Sequence, residues 1–242
     1  MSTSSVCIEK EFSRNADSYD NYSIIQSQVA DILLSMIPHQ KYKNVIDLGA
    51  GSGMLYKKIS TTPISFDKFY AIDISSKMLD LHPSDSRVSK VLLDFKDIDK
   101  FLSKQTIDLA MSSSALQWSR DLGTIFATFF RYDIDIAFAI FTSDTFKTIQ
   151  TITSKPSPIC DKSEIFKAMH NYQKTLFTKV QKFRLYFDST LEMFRYIKKS
   201  GVSGGEKTLS YKEIKSLIDT YPYDYLEFEV LFATSFNPQK EG

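Results

Sequence analysis

The stretch "VIDLGAGSG", residues 45 to 53, is an apolar run, a carboxylate and a loop of three glycines. A short apolar run ending in glycines reads as a buried strand, and the residues after Gly53 start a helix, so the glycines mark a first strand turning into a helix. At such a junction backbone N–H groups point outward, and glycine lets a ligand approach the main chain closely. Asp47, Gly49, Gly51 and Gly53 are therefore read as a ligand cradle.

Outward from this loop, "KFYAIDIS", "SKVLLDF", "IDLAMSS" and "DIDIAFAIF" are further short β-rich runs separated by helix- or loop-length segments. Near-continuous apolar strands spaced in this way indicate an α/β fold, a doubly wound parallel sheet with helices on both faces. Two late strands, "KFRLYF" and "YLEFEVLFATSF", enclose the helical runs "STLEMFRYIKKSG" and "SYKEIKSLIDTY" and complete a mostly parallel, Rossmann-like sheet of seven strands. Ahead of the first strand, Ile24, Ile25, Val29, Ile32, Leu33 and Met36 share one helical stripe. The glycine-rich "GVSGGEKT" loop is expected to be mobile, and "TSKPSPICDKS" is either a lid hinge or a plain surface loop. The expected organisation is one domain over 1–242, with an N-terminal helical cap at 12–37, a cofactor-binding core at 40–145 and a basic helical lid at 145–220.

A chain of 242 residues with 43% hydrophobic content buries one substantial core. Its net charge of +1 leaves no footprint for nucleic acid, but the charge is unevenly spread. Residues 145–215 hold fourteen Lys/Arg against six Asp/Glu, a net of +8, which leaves −7 for the rest. A basic segment on an acidic body suits an anionic partner; the same lysines would also serve as solvated helix faces. No stretch approaches the roughly twenty apolar residues of a membrane span, and the start has no signal-like run, so the expected location is cytoplasmic. Cys7 and Cys160, like His39, His82 and His170, stand apart without ligand spacing, so neither disulfide nor metal is expected.

Dinucleotide binding is the first candidate for the loop, but its fingerprint is Gly-x-Gly-x-x-Gly, and the position of the third glycine is Met54 here. Asp47 would also repel a pyrophosphate, whereas it suits a cationic amino acid end such as that of S-adenosylmethionine. Asp73, about twenty residues on, is placed to accept the hydroxyls of a ribose. Asp94 and Phe95 at the end of the third strand could meet an adenine, and Ser112 at the end of the fourth would close the site at the carboxyl edge of the sheet. The segment after that strand, "SSSALQWSRDL", lacks the prolines of base-methylating enzymes.

In order and spacing, "FSRNADSYD", "QSQVADILLSMI", "VIDLGAGSG", "SSSALQW" and "LYFDSTLEMFRYIKKSGVS" resemble the malonyl-acyl carrier protein O-methyltransferases of biotin synthesis. The most specific elements are Phe12, Arg14, Ala16 and Tyr19, then Leu116-Gln117-Trp118, then Arg195, Ile197, Lys198 and Gly201. Departures are "KDIDKFLSKQT" between strands three and four, and "RYDID" where a glycine turn is customary before strand five. The resemblance implies a class I methyltransferase fold and methyl transfer from S-adenosylmethionine to the free carboxylate of a malonyl thioester, giving S-adenosylhomocysteine. It implies Arg195 as the carboxylate clamp, with Lys198 and then Arg184 behind it, Trp118 as a wall of the transfer chamber, and Tyr19 as a closing residue. An acidic acyl carrier protein would dock on the basic 145–215 segment, at Lys155, Lys162, Lys167, Lys174, Lys179, Lys198 and Lys199. A carboxyl methyltransferase for a small free acid, and a non-catalytic cofactor-binding scaffold, stand as alternatives.

Overall fold

The computed structural model describes residues 9, 10, 13, 23–119, 121–169, 176–199 and 210–236. Cys7, Phe12, Arg14, Ala16, Tyr19, His170, Lys174 and the expected mobile loop at 201–208 lie outside the described residues.

The strands are β1 (Lys41–Leu48), β2 (Ser65–Asp73), β3 (Val88–Leu92), β4 (Leu109–Ser113), β5 (Asp135–Phe141), β6 (Phe177–Tyr186) and β7 (Tyr225–Ser235). The helices are α1 (Ile24–Ser35), α2 (Met54–Ile59), α3 (Ser76–Leu81), α4 (Ile98–Leu102), α5 (Leu122–Arg131), α6 (Lys147–Thr153), α7 (Lys162–Met169), α8 (Thr190–Lys199) and α9 (Tyr211–Thr220), with 3-10 turns at Phe95–Asp97 and Leu116–Trp118. All seven strands form one sheet in the order β3-β2-β1-β4-β5-β7-β6. The first five are parallel, and β7 runs antiparallel to both β5 and β6. Chain order reverses between β1 and β4, so a crevice opens at their carboxyl ends, where such sheets bind ligands.

Helices cover both faces because the central strands are apolar on both. On β5 every residue is buried: Ala137, Ala139 and Phe141 face the layer holding α1, α2 and α8, while Ile136, Phe138 and Ile140 face α4, α5 and α7. The Phe138 ring meets Phe126 and Phe129 edge-on at 5.7 and 5.6 Å, contacts worth about 0.5–1.5 kcal/mol each beyond area burial. They seat α5 against the sheet, and Asp121 fixes its start by accepting the Thr124 N–H at 2.8 Å. The connection carrying Trp118 is thus held between β4 and an anchored helix.

The expected stripe on α1 is rotated. Its buried face is Ile25, Gln26, Val29, Ala30, Leu33 and Leu34, and Ile24 is 47% exposed. β6 begins at Phe177, five residues before the expected "KFRLYF", because it pairs with β7 alone; most of its residues are solvated and Phe183 is the one buried on it. In "RYDID" Asp133 adopts φ +54, the left-handed conformation that a short polar side chain tolerates where glycine is customary. The basic segment is tied to the sheet through buried Glu229, whose Oε1 accepts from Thr142 Oγ1 at 2.8 Å and lies 3.5 Å from Lys162 Nζ. Among the described residues no helix is long and apolar enough to cross a membrane.

Candidate active site

The three glycines after β1 all take positive φ, +74 at Gly49, +54 at Gly51 and +85 at Gly53. At two of them the protein itself fills the space a side chain would need. A Cβ on Gly49 would sit 2.2 Å from Ala115 Cβ, and one on Gly53 would sit 2.5 Å from Pro83 Cδ. Gly51 is more open, with Met78 Cε nearest at 3.3 Å.

The loop does not present the expected outward N–H groups. Gly49 and Ala50 both donate to the Ile72 carbonyl at 2.8 Å, Gly51 donates to Asp73 Oδ2 at 2.9 Å, and Gly53 donates to the Ala50 carbonyl at 2.9 Å. With three of those donors turned to the end of β2 and the Gly53 N–H turned back into the loop, none of the four is left for a pyrophosphate. What faces the crevice is instead acidic. Asp47 is 1% exposed and its Oδ1 has no hydrogen-bond partner. Burial, and then the nearby Asp73, push its carboxyl up to about 8. A cation lined up with Oδ1 would relieve that cost.

Asp73 is held at both oxygens, Oδ2 by Gly51 and Oδ1 by the Ser75 N–H at 2.8 Å. Burial raises its pKa above the ordinary carboxylate range while these N–H groups pull the other way. Each oxygen keeps a second lone pair, which suits two vicinal hydroxyls. Phe95, Met78 and Ile74 line the same cleft and give it an apolar end fit for a flat base.

Of the residues singled out in the sequence, Asp47, Gly49, Gly51, Asp73, Phe95 and Trp118 line one cleft. Three others support it from outside. Gly53 packs behind the loop against His82, a buried ring whose Nδ1–H donates to the Pro83 carbonyl at 2.9 Å and whose pKa is depressed by burial. Asp94 caps the 3-10 turn that presents Phe95, accepting the Lys96 N–H at 3.2 Å. Ser112 is fully buried and donates to the Leu48 carbonyl at 2.7 Å, stitching β4 to β1. Arg195 is exposed on α8 and Arg184 is exposed over the Tyr225 ring at 4.5 Å; neither lines the cleft. The side chains of Lys198 and Tyr19 lie outside the described residues.

The sequence reading missed Gln26, Ser113 and Ser114, which also line the cleft. Ser114 stands at φ +63, and its carbonyl accepts from Gln117 Nε2 at 2.6 Å, so Gln117 braces the strained residue just past β4. The positive-φ kink turns the chain so that Ala115 reaches Gly49 and the next turn delivers Trp118.

Residues 46–132 match the family described as Methyltransferase domain. The chain is 28% identical over 153 residues to the malonyl-[acyl-carrier protein] O-methyltransferase of Bacillus anthracis, a region covering 60% of this chain and 56% of that protein. It is 24% identical to the malonyl-[acyl-carrier protein] O-methyltransferase 2 of Ilyobacter polytropus across 94% of this chain and 93% of that one. Aligned length is therefore just over half of the first relative and nearly all of the second. Among solved structures, the putative methyltransferase in complex with the Trm112 activator of Haloferax volcanii superposes with a TM-score of 0.60 at 14% identity, over 93% of this chain and 96% of that one. Asp47 could hold an ammonium, Asp73 a diol and the apolar end a flat base, a set of groups that S-adenosylmethionine carries. A cleft with those features lies at the switch point of a sheet with the strand order of the class I methyltransferase fold, built mostly from residues that match the methyltransferase domain family.

Proposed function

We propose that the chain methylates the free carboxylate of a malonyl group carried by an acyl carrier protein, forming the methyl ester that biotin synthesis requires. This rests above all on the reach of the likeness: the Ilyobacter polytropus relative aligns over 94% of the chain, including the segment beyond the matched domain where an acceptor would be selected. The chemistry of the cleft agrees with it. A carboxylate, with a pKa of about 4, is ionised at neutral pH and needs no general base. Among the described lining residues there is no histidine, lysine or arginine. When bound, the cofactor supplies a methyl group on a sulfonium, so no proton has to move.

The protein's part is then to bind, align and exclude water. In this proposal Asp47, Gly49, Gly51, Asp73 and Phe95 hold the cofactor, with Gly53, Asp94 and Ser112 supporting them. Trp118 walls the chamber, and Ser113 and Ser114 offer hydroxyl donors beside it. Arg195, with Lys198 as second choice, supplies the positive charge for the acceptor carboxylate from α8, and Tyr19 closes the chamber. A guanidinium clamp would reject acetyl carriers, which leave it unpaired. For docking, Lys155 is engaged with Glu213 at 2.9 Å and Lys162 with Glu229 at 3.5 Å, which shifts the proposed contact toward exposed Lys167 and Lys179.

The test is mass spectrometry of malonyl-carrier protein incubated with the chain and S-adenosylmethionine, beside acetyl-carrier and malonyl-coenzyme A. A gain of one methylene mass on the malonyl carrier alone is expected. Equal methylation of malonyl-coenzyme A would remove the carrier from the proposal. Transfer to none of the three, despite cofactor binding, would overturn it.

A further inference from the structure

Two buried acceptors reach one cleft from different elements, and neither has a partner. Asp47 Oδ1 comes from the end of β1 and Gln26 Oε1 from the first turn of α1; their residues are 1% and 5% exposed. Buried polar atoms are paired in the great majority of cases, so two orphans lining one cavity mark a missing donor. Gln26 sits on the inward face of α1 with Ile25, Val29 and Ala30, where an apolar side chain would pack without that cost. Of the donors an S-adenosylmethionine molecule carries, the adenine amine goes with the base to the apolar end at Phe95 and the ribose hydroxyls are answered by Asp73, while the sulfonium has no N–H. Its ammonium has three N–H groups and can bond to several acceptors at once. We propose that Gln26 Oε1 and Asp47 Oδ1 together seat the ammonium of the cofactor, which makes α1 part of the cofactor site although it precedes the matched domain at 46–132.

An amide fits this place better than a third carboxylate. Asp73 already opposes the ionisation of Asp47, and an additional negative charge would make the empty cleft costlier still. Glutamine adds an acceptor without adding charge.

The inference rests on S-adenosylmethionine as the cofactor, and its test separates the two questions. Calorimetric affinities are measured for S-adenosylhomocysteine, its decarboxylated form and 5′-methylthioadenosine, which lacks the amino acid end, on wild type and Gln26→Leu. Binding of the first two should fall by roughly tenfold or more, while methylthioadenosine binding holds. The empty variant should melt no lower than wild type, since an unpaired acceptor is gone, and Gln26→Glu, which keeps an oxygen there, should restore most of the lost affinity. Gln26→Met gives the same readout if the leucine variant does not fold. Equal weakening of all three ligands would mean a displaced helix, loss confined to S-adenosylhomocysteine would assign Gln26 to the carboxylate, and unchanged affinities would leave it no role; each overturns the proposal. Failure of wild type to bind S-adenosylhomocysteine would instead remove the cofactor assignment beneath it.

Discussion

Replacing Asp47 with asparagine should abolish a pH dependence of cofactor binding that the wild-type cleft builds in. In the empty protein burial and Asp73 keep the Asp47 carboxyl protonated up to about pH 8. A ligand ammonium favours the carboxylate, so binding below that pH expels one proton. Affinity for S-adenosylhomocysteine should then rise about tenfold per pH unit, or roughly a hundredfold from about pH 5.5 to about 7.5, below the range where an α-amino group itself titrates. Calorimetry in two buffers of different ionisation enthalpy counts the proton directly. Asp47→Asn should bind with a flat profile, matching wild type near the acid end and falling about ten- to hundredfold behind at the other, the worth of a charge-assisted hydrogen bond. Stability changes with its own sign. The folded pKa lies above the unfolded value of 3.8, so the contribution of Asp47 to the empty protein is complete below about pH 4 and is lost as pH rises through about 8. The melting temperature of empty wild type should decline more across that window than that of Asp47→Asn, which keeps only the decline that the raised pKa of Asp73 contributes. A wild-type affinity independent of pH, or a slope that survives in Asp47→Asn, would refute the reasoning.

Gly53→Ala should cost about 2–4 kcal/mol in denaturant unfolding, since it combines φ +85 with a Cβ 2.5 Å from Pro83 Cδ. Ser112→Ala should cost about 1 kcal/mol of stability by stranding the Leu48 carbonyl, and calorimetry should find the affinity for S-adenosylhomocysteine changed by no more than about twofold, because the hydroxyl faces β1 and not the cleft.

The sheet was legible because its central strands carry nearly unbroken apolar runs, and the glycine loop announced where they stop. The limits of that legibility have physical causes. β6 starts earlier than its apolar run because an edge strand has little core to face. A helical stripe is read from apolar residues, so Gln26, a polar member of a buried face, looked like an interruption of it. Ser112 and Ser113 end β4 and Ser114 follows it, and period-two alternation alone does not tell which faces the neighbouring strand; Ser112 does, while Ser113 and then Ser114, itself at positive φ, line the cleft. The glycines were noticed for ligand approach, whereas Gly49 and Gly53 are required by Ala115, Pro83 and His82, residues far away in sequence.

β6 closes the sheet on one side, and no described strand pairs with it other than β7. Its outer rim therefore offers backbone donors and acceptors next to Phe177, Val180 and Tyr186, which are 59%, 39% and 60% exposed. An open rim of that kind is a template for the same rim on another copy, and growth from it leads to aggregates. Lys179, Lys182 and Arg184 interrupt it, so that two rims brought together would confront like charge with like charge. Part of the basic character of residues 145–215 thus lies along an edge strand, where like charge opposes pairing of that edge with its own copy.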